Sequence, residues 1–203
     1  MKPLNSTSAL ASSLYSMVIF VWIVSEAIVL IRTIARVGPR THMANNRGQD
    51  RMSGPALIGG LLLAIWIGSM LASLVPATAM RSGRPVIFAF GFLLALAGIA
   101  FRWYAIATLG RYFTTRVQTT ADQPVVESGP YRFVRHPSYT GALMTVLGVM
   151  LMSTNWVTLA CFVIALPGFA YRINVEEDVL VTSLGDAYRD YMRRSKRLVP
   201  FLI

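Results

Sequence analysis

The sequence predicts an all-α integral membrane protein with about five transmembrane helices, the last two forming a helical hairpin that is followed by a cytosolic helical tail. Of its 203 residues, 55% are hydrophobic and 14% are charged, against about 25% charged in an ordinary soluble domain. Apolar stretches long enough to cross a hydrocarbon core of about 30 Å recur along the chain. We therefore expect residues 1–203 to form a single membrane domain.

Three apolar stretches predict the first three spans. They cover about residues 9–34, 55–78 and 85–109. Each has enough residues to cross the membrane at a rise of about 1.5 Å per residue. The residues before the first stretch lack the basic start and the small-residue cleavage site of a signal peptide, so we expect the first span to be retained as an anchor.

A fourth apolar stretch, at about residues 140–171, is too long for one ordinary span. It is interrupted by Ser153-Thr154-Asn155, residue types that favour turns. We interpret it as a tight helical hairpin of two short spans, which gives five crossings. The hairpin would bring the start of span four and the end of span five to the same side of the membrane.

The basic residues favour this count of five. Most fall in residues 32–51, 111–135 and 172–197, which five spans place on one side. The opposite side keeps Lys2, Arg81 and Arg84. By the positive-inside rule, the N-terminus lies outside and the C-terminus lies in the cytosol. The net charge of +10 then follows from membrane topology, and no nucleic-acid partner is expected.

The tail predicts two further helical features. Residues 175–184 keep helical spacing, Gly185 supplies a helix stop, and Asp186 is suited to cap a second helix. That helix is amphipathic, with Tyr188 and Tyr191 among several basic residues. We expect it to lie on anionic lipid headgroups.

A polar segment at residues 129–141 separates two apolar stretches. Its triplet Arg135-His136-Pro137 stands between Tyr131 and Tyr139. Two phenols, an imidazole and a guanidinium this close together suit a polar, partly aromatic ligand. The alternative is a charged interfacial anchor in which the proline begins the next helix.

Other charged residues near the span ends extend the list of candidates. Arg172 and Glu176 are four residues apart and share a helix face, as a surface ion pair or as part of one site with His136. Glu26, within span one, marks a pocket or pairs with a neighbouring helix. Arg102 is placed to extend its side chain towards the interface.

The sequence also argues against several kinds of site. Cys161 is the only cysteine, so an internal disulfide and a cysteine-rich metal site are excluded. His42 and His136 are far apart and have no carboxylate at metal-ligand spacing, so no metal is expected. Glycine-rich phosphate loops and GxSxG elbows are absent.

The C-terminal half resembles the isoprenylcysteine carboxyl methyltransferases, a family of membrane-embedded enzymes, in a prokaryotic-type form. The resemblance rests on motifs in order: Gly129-x-Tyr131-x-x-x-Arg135-His136-Pro137-Ser138-Tyr139-x-Gly141, the hairpin, Arg172-x-x-x-Glu176-Glu177, Gly185-x-x-Tyr188-x-x-Tyr191 and Arg197-x-x-Pro200-Phe201. It assigns residues 109–203 to the methyltransferase region and residues 1–108 to a helical scaffold.

The resemblance implies S-adenosyl-L-methionine as methyl donor, S-adenosyl-L-homocysteine as product and a site on the cytosolic side. The family's substrate-contacting and catalytic arginine and glutamate align with Arg172 and Glu176. The implied cofactor contacts are Gln118, Gln123, Pro124, Val125, Val126, Tyr131, His136, Pro137, Ser138 and Tyr139.

The residue types agree with this chemistry. Tyrosine faces stabilise a sulfonium cation by about 0.5–2 kcal/mol when desolvated, a role that suits Tyr131 and Tyr139. An acceptor carboxylate is already ionised at neutral pH, so alignment and exclusion of water suffice without a general base. Arg172 would fix that carboxylate by charge-assisted hydrogen bonds.

The expected reaction is O-methylation of the carboxylate of a prenylcysteine-like or other amphiphilic acceptor at the lipid bilayer. One alternative is a phospholipid-amine or thiol methyltransferase on the same scaffold, in which Arg172 binds phosphate or has no acceptor role. Another is a small membrane interaction or transport protein, in which the charged residues are structural.

Overall fold

The computed structural model describes residues 8–37, 52–115 and 123–199, and these residues are mainly helical. The helices are α1 (Ala9–Val37), α2 (Ser53–Leu74), α3 (Arg84–Leu109), α4 (Pro137–Met152), α5 (Trp156–Ala160), α6 (Phe162–Leu184) and α7 (Asp186–Arg194). Short 3₁₀ turns lie at Pro76–Thr78, Gly110–Tyr112 and Gly129–Arg132. In these ranges β pairing is confined to two isolated bridges.

The described residues include four helical segments long and apolar enough to cross a membrane, together with the shorter apolar helix α4. The four segments are Ala9–Arg36, Ser53–Leu74, Arg84–Tyr112 and Trp156–Leu184. The prediction of an all-α integral membrane protein is confirmed.

The second span ends earlier than the sequence suggested. Helix α2 stops at Leu74, and Pro76 begins a 3₁₀ turn instead of continuing the helix to residue 78. Proline has no backbone N–H and disfavours helical geometry in the residue before it. Val75 accordingly adopts φ −124° and ψ 75°, outside the helical region.

The predicted hairpin forms around residues 153–155, but its arms differ in length. Asn155 begins the second arm, where its Oδ1 accepts hydrogen bonds from the backbone N–H groups of Val157 (2.9 Å) and Thr158 (3.2 Å). The expectation of two short spans was wrong for this arm. Helix α4 has 16 residues, whereas the segment Trp156–Leu184 has 29, because Cys161 between α5 and α6 keeps a near-helical backbone (φ −64°, ψ −12°).

The two arms of the hairpin pack mainly against different neighbours. Helix α4 lies along α3, and α6 lies along α2. The α3–α4 contact is built on glycines: a Cβ atom added at Gly91, Gly98, Gly141 or Gly148 would lie 2.5–2.7 Å from a backbone atom of the facing helix. Such close backbone approach is typical of small-residue interfaces between membrane helices.

Replacing Gly98 with alanine is expected to destabilise the protein by about 1–3 kcal/mol, the usual range for an overpacked core. The new Cβ would lie 2.5 Å from the backbone nitrogen of Thr145, so the two helices must move apart. Gly59 provides a matched control, because a Cβ there meets nothing within 4 Å. Thermal unfolding in one detergent compares the two alanine variants, and equal midpoints would contradict the close packing.

The tail differs from its prediction in two respects. Helix α6 does end at Leu184, where Gly185 adopts a φ of 61°. The residue at the N-cap of α7 is Gly185, and the Asp186 carboxylate instead accepts a hydrogen bond from Arg189. Tyr188 and Tyr191 are buried against the protein, so the aromatic face of α7 does not rest on lipid headgroups.

Candidate active site

A cavity of about 370 Å³ lies between α1, α2, α3, α4 and α6, a size typical of small-molecule sites. The wall of the cavity is polar at one end of the helices and apolar at the other. Charged and phenolic groups lie near the start of α4 and beside Arg172 of α6. Deeper along the same helices the wall is apolar, with Trp22, Leu57, Leu61, Ala142, Val146 and Phe169.

Tyr139 connects Arg172 with Glu176 at the polar end. Its hydroxyl donates to Glu176 Oε2 (2.7 Å) and accepts from Arg172 Nε (3.1 Å). Arg172 also donates to Ser53 Oγ (2.8 Å) and to the carbonyl of Thr115 (2.9 Å). Because Arg172 is only 4% exposed, it is a buried member of this network, and the surface-ion-pair alternative is wrong.

Glu177 organises a second network beside the first. Its Oε1 accepts a hydrogen bond from Arg135 Nε (2.8 Å) and lies 3.2 Å from His136 Nε2. Its Oε2 forms an ion pair with Arg197 Nη2 at 2.7 Å, without hydrogen-bond alignment. One buried carboxylate therefore joins α6 to the polar segment before α4 and to the tail.

The tail after α7 pairs directly with the polar segment. The backbone N–H groups of Arg135 and His136 donate to the carbonyls of Lys196 (2.7 Å) and Arg197 (3.0 Å). The Thr140 hydroxyl donates to the carbonyl of Leu198 (2.7 Å). Residues 195–199 thus hold in place the segment that carries the Arg135-His136-Pro137 triplet.

Glu26 and Arg102 form a bidentate ion pair across α1 and α3. Arg102 Nε and Nη2 lie 2.7 and 2.9 Å from the two carboxylate oxygens, and Nη1 donates to the carbonyl of Ser138 (3.1 Å). Both side chains line the cavity. Arg102 therefore does not extend towards the interface, and Glu26 both pairs with a neighbouring helix and borders a pocket.

The phenols at the site are held in their neutral form. Burial raises the pKa of Tyr131, and the nearby Glu176 carboxylate raises it further. Burial also raises the pKa of Tyr191 to about 12. The Tyr191 hydroxyl donates to the carbonyl of Tyr131 (2.6 Å), so α7 fixes the backbone beneath the Tyr131 ring.

Most of the residues predicted to contact cofactor lie around this one cavity. Gln118 is outside the described residues, and Pro137 is buried as the first residue of α4 without lining the cavity. Arg172 and Glu176 line it as well. The remaining predicted residues on its wall are Gln123, Pro124, Val125, Val126, Tyr131, His136, Ser138 and Tyr139.

Sequence reasoning missed the side of the cavity formed by α1 and α2. Trp22, Leu57 and Leu61 lie there. They belong to apolar helices, in which the sequence pattern does not distinguish residues that face lipid from residues that face a cavity. Glu177 was expected beside Glu176 at the end of span five, but no role in the site was predicted for it. Two adjacent carboxylates at the end of a span were the available signal for it.

Comparison with known proteins identifies relatives of this chain. Residues 90–182 match the model of the isoprenylcysteine carboxyl methyltransferase (ICMT) family. The protein-S-isoprenylcysteine O-methyltransferase B of Arabidopsis thaliana is 34% identical over 116 residues, covering 56% of this chain and 59% of that protein. The Saccharomyces cerevisiae protein-S-isoprenylcysteine O-methyltransferase is 33% identical over 115 residues, covering 55% and 48%. The chain thus spans about half to three-fifths of these relatives.

A solved structure shares the fold. The eukaryotic intramembrane Ras methyltransferase ICMT aligns with a TM-score of 0.58 and 22% identity, covering 93% of this chain and 68% of that one. The segment matched by the family model contains the hairpin and the Tyr139, Arg172 and Glu176 network. Through this segment, residues 90–182 of the chain are similar to the isoprenylcysteine carboxyl methyltransferase family.

Proposed function

We propose that this chain is a membrane methyltransferase that uses S-adenosyl-L-methionine to O-methylate the carboxylate of a prenylcysteine-like or other amphiphilic acceptor. The observation that carries the proposal is a single cavity in which the buried Arg172, with Tyr139 and Glu176, adjoins an apolar wall. Relatives named as protein-S-isoprenylcysteine O-methyltransferases support it. They do not favour the lipid-amine, thiol or transport alternatives.

The donor would occupy the polar end of the cavity, where residues 123–126 would surround it together with Tyr131, His136, Ser138 and Tyr139. Bound there, it supplies an electrophilic methyl group on a sulfonium. Neutral phenol faces attract such a cation. The His136 ring stacks on Tyr139 with centroids 5.6 Å apart and planes 27° apart, so it holds that phenol in position.

The acceptor would enter with its carboxylate towards Arg172 and its apolar tail along the deeper wall. Ser53 Oγ and the Thr115 carbonyl are neutral partners of the guanidinium, and a carboxylate is a stronger acceptor than either. Glu176 accepts from Tyr139 and so orients the phenol that contacts Arg172. Catalysis would rest on alignment and exclusion of water.

We place this site on the cytosolic side, with the N-terminus outside. Arg36 at the end of α1 donates to the carbonyl of Gly110 after α3 (3.0 Å). Arg172 reaches Ser53 at the start of α2. The C-terminal ends of α1 and α3 and the start of α2 therefore lie at the end of the molecule that carries the site. The residues that follow these helix ends in the sequence are rich in arginine, so the positive-inside rule assigns this end to the cytosol.

A transfer assay tests the proposal. Purified protein in lipid is incubated with radiolabelled S-adenosyl-L-methionine and a panel of S-farnesylcysteine analogues, lipid amines and thiols. We expect label in the carboxylate acceptors, released as volatile methanol by alkali because the product is a methyl ester. Alkali-stable label would indicate an amine or thiol acceptor. Transfer to none of the panel, with no donor binding by calorimetry, would overturn the enzyme hypothesis.

Replacing His136 with alanine is expected to weaken donor binding about tenfold, the effect of losing one hydrogen-bonded contact. The substitution removes the ring that stacks on Tyr139 and the partner of Glu177. Phe133→Ala is a control in the same segment, since Phe133 is exposed. Calorimetric titration with S-adenosyl-L-homocysteine measures the affinity. An unchanged affinity in the His136 variant would remove this residue from the donor site.

A further inference from the structure

A second pocket, of about 220 Å³, lies between the C-terminal ends of α1 and α3. Arg32 and Arg36 contribute to it from α1, Trp103 and Ile106 from α3, and Phe113 from the segment that follows. This pocket is separate from the candidate active site, although Phe113 lines both.

The pocket carries two positive charges one helical turn apart. The Arg32 guanidinium lies 5.4 Å from the centroid of the Trp103 ring, and Arg36 Nη1 donates to the carbonyl of Gly110 (3.0 Å). Among the described residues, no carboxylate lines the pocket or forms an ion pair with either arginine. Two guanidinium groups with this geometry favour an anion, and the planar guanidinium matches the oxygens of a phosphate.

The position of the pocket favours a phospholipid over inorganic phosphate as the ligand. The candidate membrane spans Ala9–Arg36 and Arg84–Tyr112 both end beside it, and the ends of spanning helices meet the headgroup region of a bilayer. The Trp103 indole N–H donates to Ser25 Oγ (2.6 Å), and tryptophan is a residue type enriched at the membrane interface. Val29, Ile106 and Phe113 give the pocket an apolar side that inorganic phosphate does not need.

We propose that this pocket binds an anionic phospholipid, with its phosphodiester between Arg32 and Arg36 and its first acyl carbons against the apolar side. Basic pockets between membrane helices bind such headgroups in general. The site does not depend on the proposed methyltransferase activity. A lipid bound there would hold α1 against α3 beside the Glu26 and Arg102 ion pair, which borders the active-site cavity.

Lipid binding can be tested with Arg32→Gln/Arg36→Gln. Wild type and variant are reconstituted in nanodiscs of phosphatidylcholine, with or without phosphatidylglycerol, and their unfolding midpoints are measured. Native mass spectrometry then counts the phosphatidylglycerol that stays bound after extraction in detergent. We expect phosphatidylglycerol to raise the midpoint of the wild type. We expect retention by the variant to fall about tenfold or more, because two charge-assisted hydrogen-bonding groups are lost.

Arg189→Gln/Arg193→Gln is the matched control, since it removes two exposed arginines from α7 at the same end of the molecule. It should retain lipid like the wild type. Equal loss in both double variants would overturn the proposal, because the effect would then be one of net charge. Equal midpoints of the wild type in the two lipid mixtures would also overturn it. So would a midpoint increase by inorganic phosphate alone that matches the effect of phosphatidylglycerol.

Discussion

Replacing Glu177 with glutamine is expected to lower the free energy of unfolding by about 3–5 kcal/mol, the usual effect of removing one partner from a buried ion pair. The side chains of Glu177 and Arg135 are only 4% and 8% exposed. Glutamine nearly preserves the shape of the side chain, but it leaves the Arg135 guanidinium buried without its counter-charge. The variant therefore tests the charge and leaves the packing almost unchanged.

In the Glu177→Gln variant, local stability should be lost first where residues 195–199 of the tail pair with the polar segment. Arg135 also donates to the carbonyls of Met192 (3.1 Å) and Ser195, and Arg197 faces Glu177 directly. Once the carboxylate is neutralised, residues 195–199 lose their electrostatic tie to α6. We expect hydrogen exchange to accelerate first in these residues and in residues 133–136, before the long helices respond.

Glu127→Gln is the control for the charge change. Glu127 pairs with Arg194 at 3.1 Å, and the two side chains are 41% and 62% exposed. Exposed pairs contribute only about 0–1 kcal/mol, so this variant should unfold almost like the wild type. Denaturant titration in mixed micelles compares the two proteins. Equal stabilities would mean that Glu177 is not the buried counter-charge of Arg135.

The sequence predicted most of the helical framework and one half of the cavity. Apolar length identified the long spans, and Ser153-Thr154-Asn155 identified the hairpin turn, because both signals are local. The hairpin in turn brought His136 and Arg172 to the same cavity. Charges are rare in apolar helices and therefore conspicuous, which explains why the polar side of the site was the predictable side.

What could not be predicted depends on which helix lies beside which. The sequence contains both Glu26 and Arg102 but nothing that pairs them, because α1 and α3 are joined by long intervening segments. The adjacent Glu176 and Glu177 are alike in sequence, yet one accepts from Tyr139 and the other from Arg135. Their helical positions differ by about 100°, and only the packing of α6 decides which network each one joins.

Replacing Arg172 with alanine is expected to lower turnover at least about a hundredfold, because a loosely held acceptor loses its alignment with the methyl group. The affinity for S-adenosyl-L-homocysteine should change little, since Arg172 acts on the acceptor under our proposal. The buried guanidinium also contacts Tyr139, Ser53 and Thr115. Ser53→Ala, which removes one of these partners but keeps the charge, is therefore the control for local packing and should retain most activity.

A comparison of two ligands separates acceptor binding by Arg172 from a merely structural role. The experiment uses the wild type, Arg172→Ala and Arg172→Lys. For each protein it measures the inhibition constant of a non-reactive S-farnesylcysteine carboxamide and the Michaelis constant of the matching carboxylate. The wild type should prefer the carboxylate, since it offers the guanidinium a counter-charge and two acceptor oxygens, whereas the carboxamide offers one neutral oxygen. The alanine variant should lose that preference, and lysine should restore part of it because it keeps the charge without the planar fork. If all three proteins discriminate equally, the acceptor carboxylate binds elsewhere and Arg172 serves only to hold Tyr139 in place.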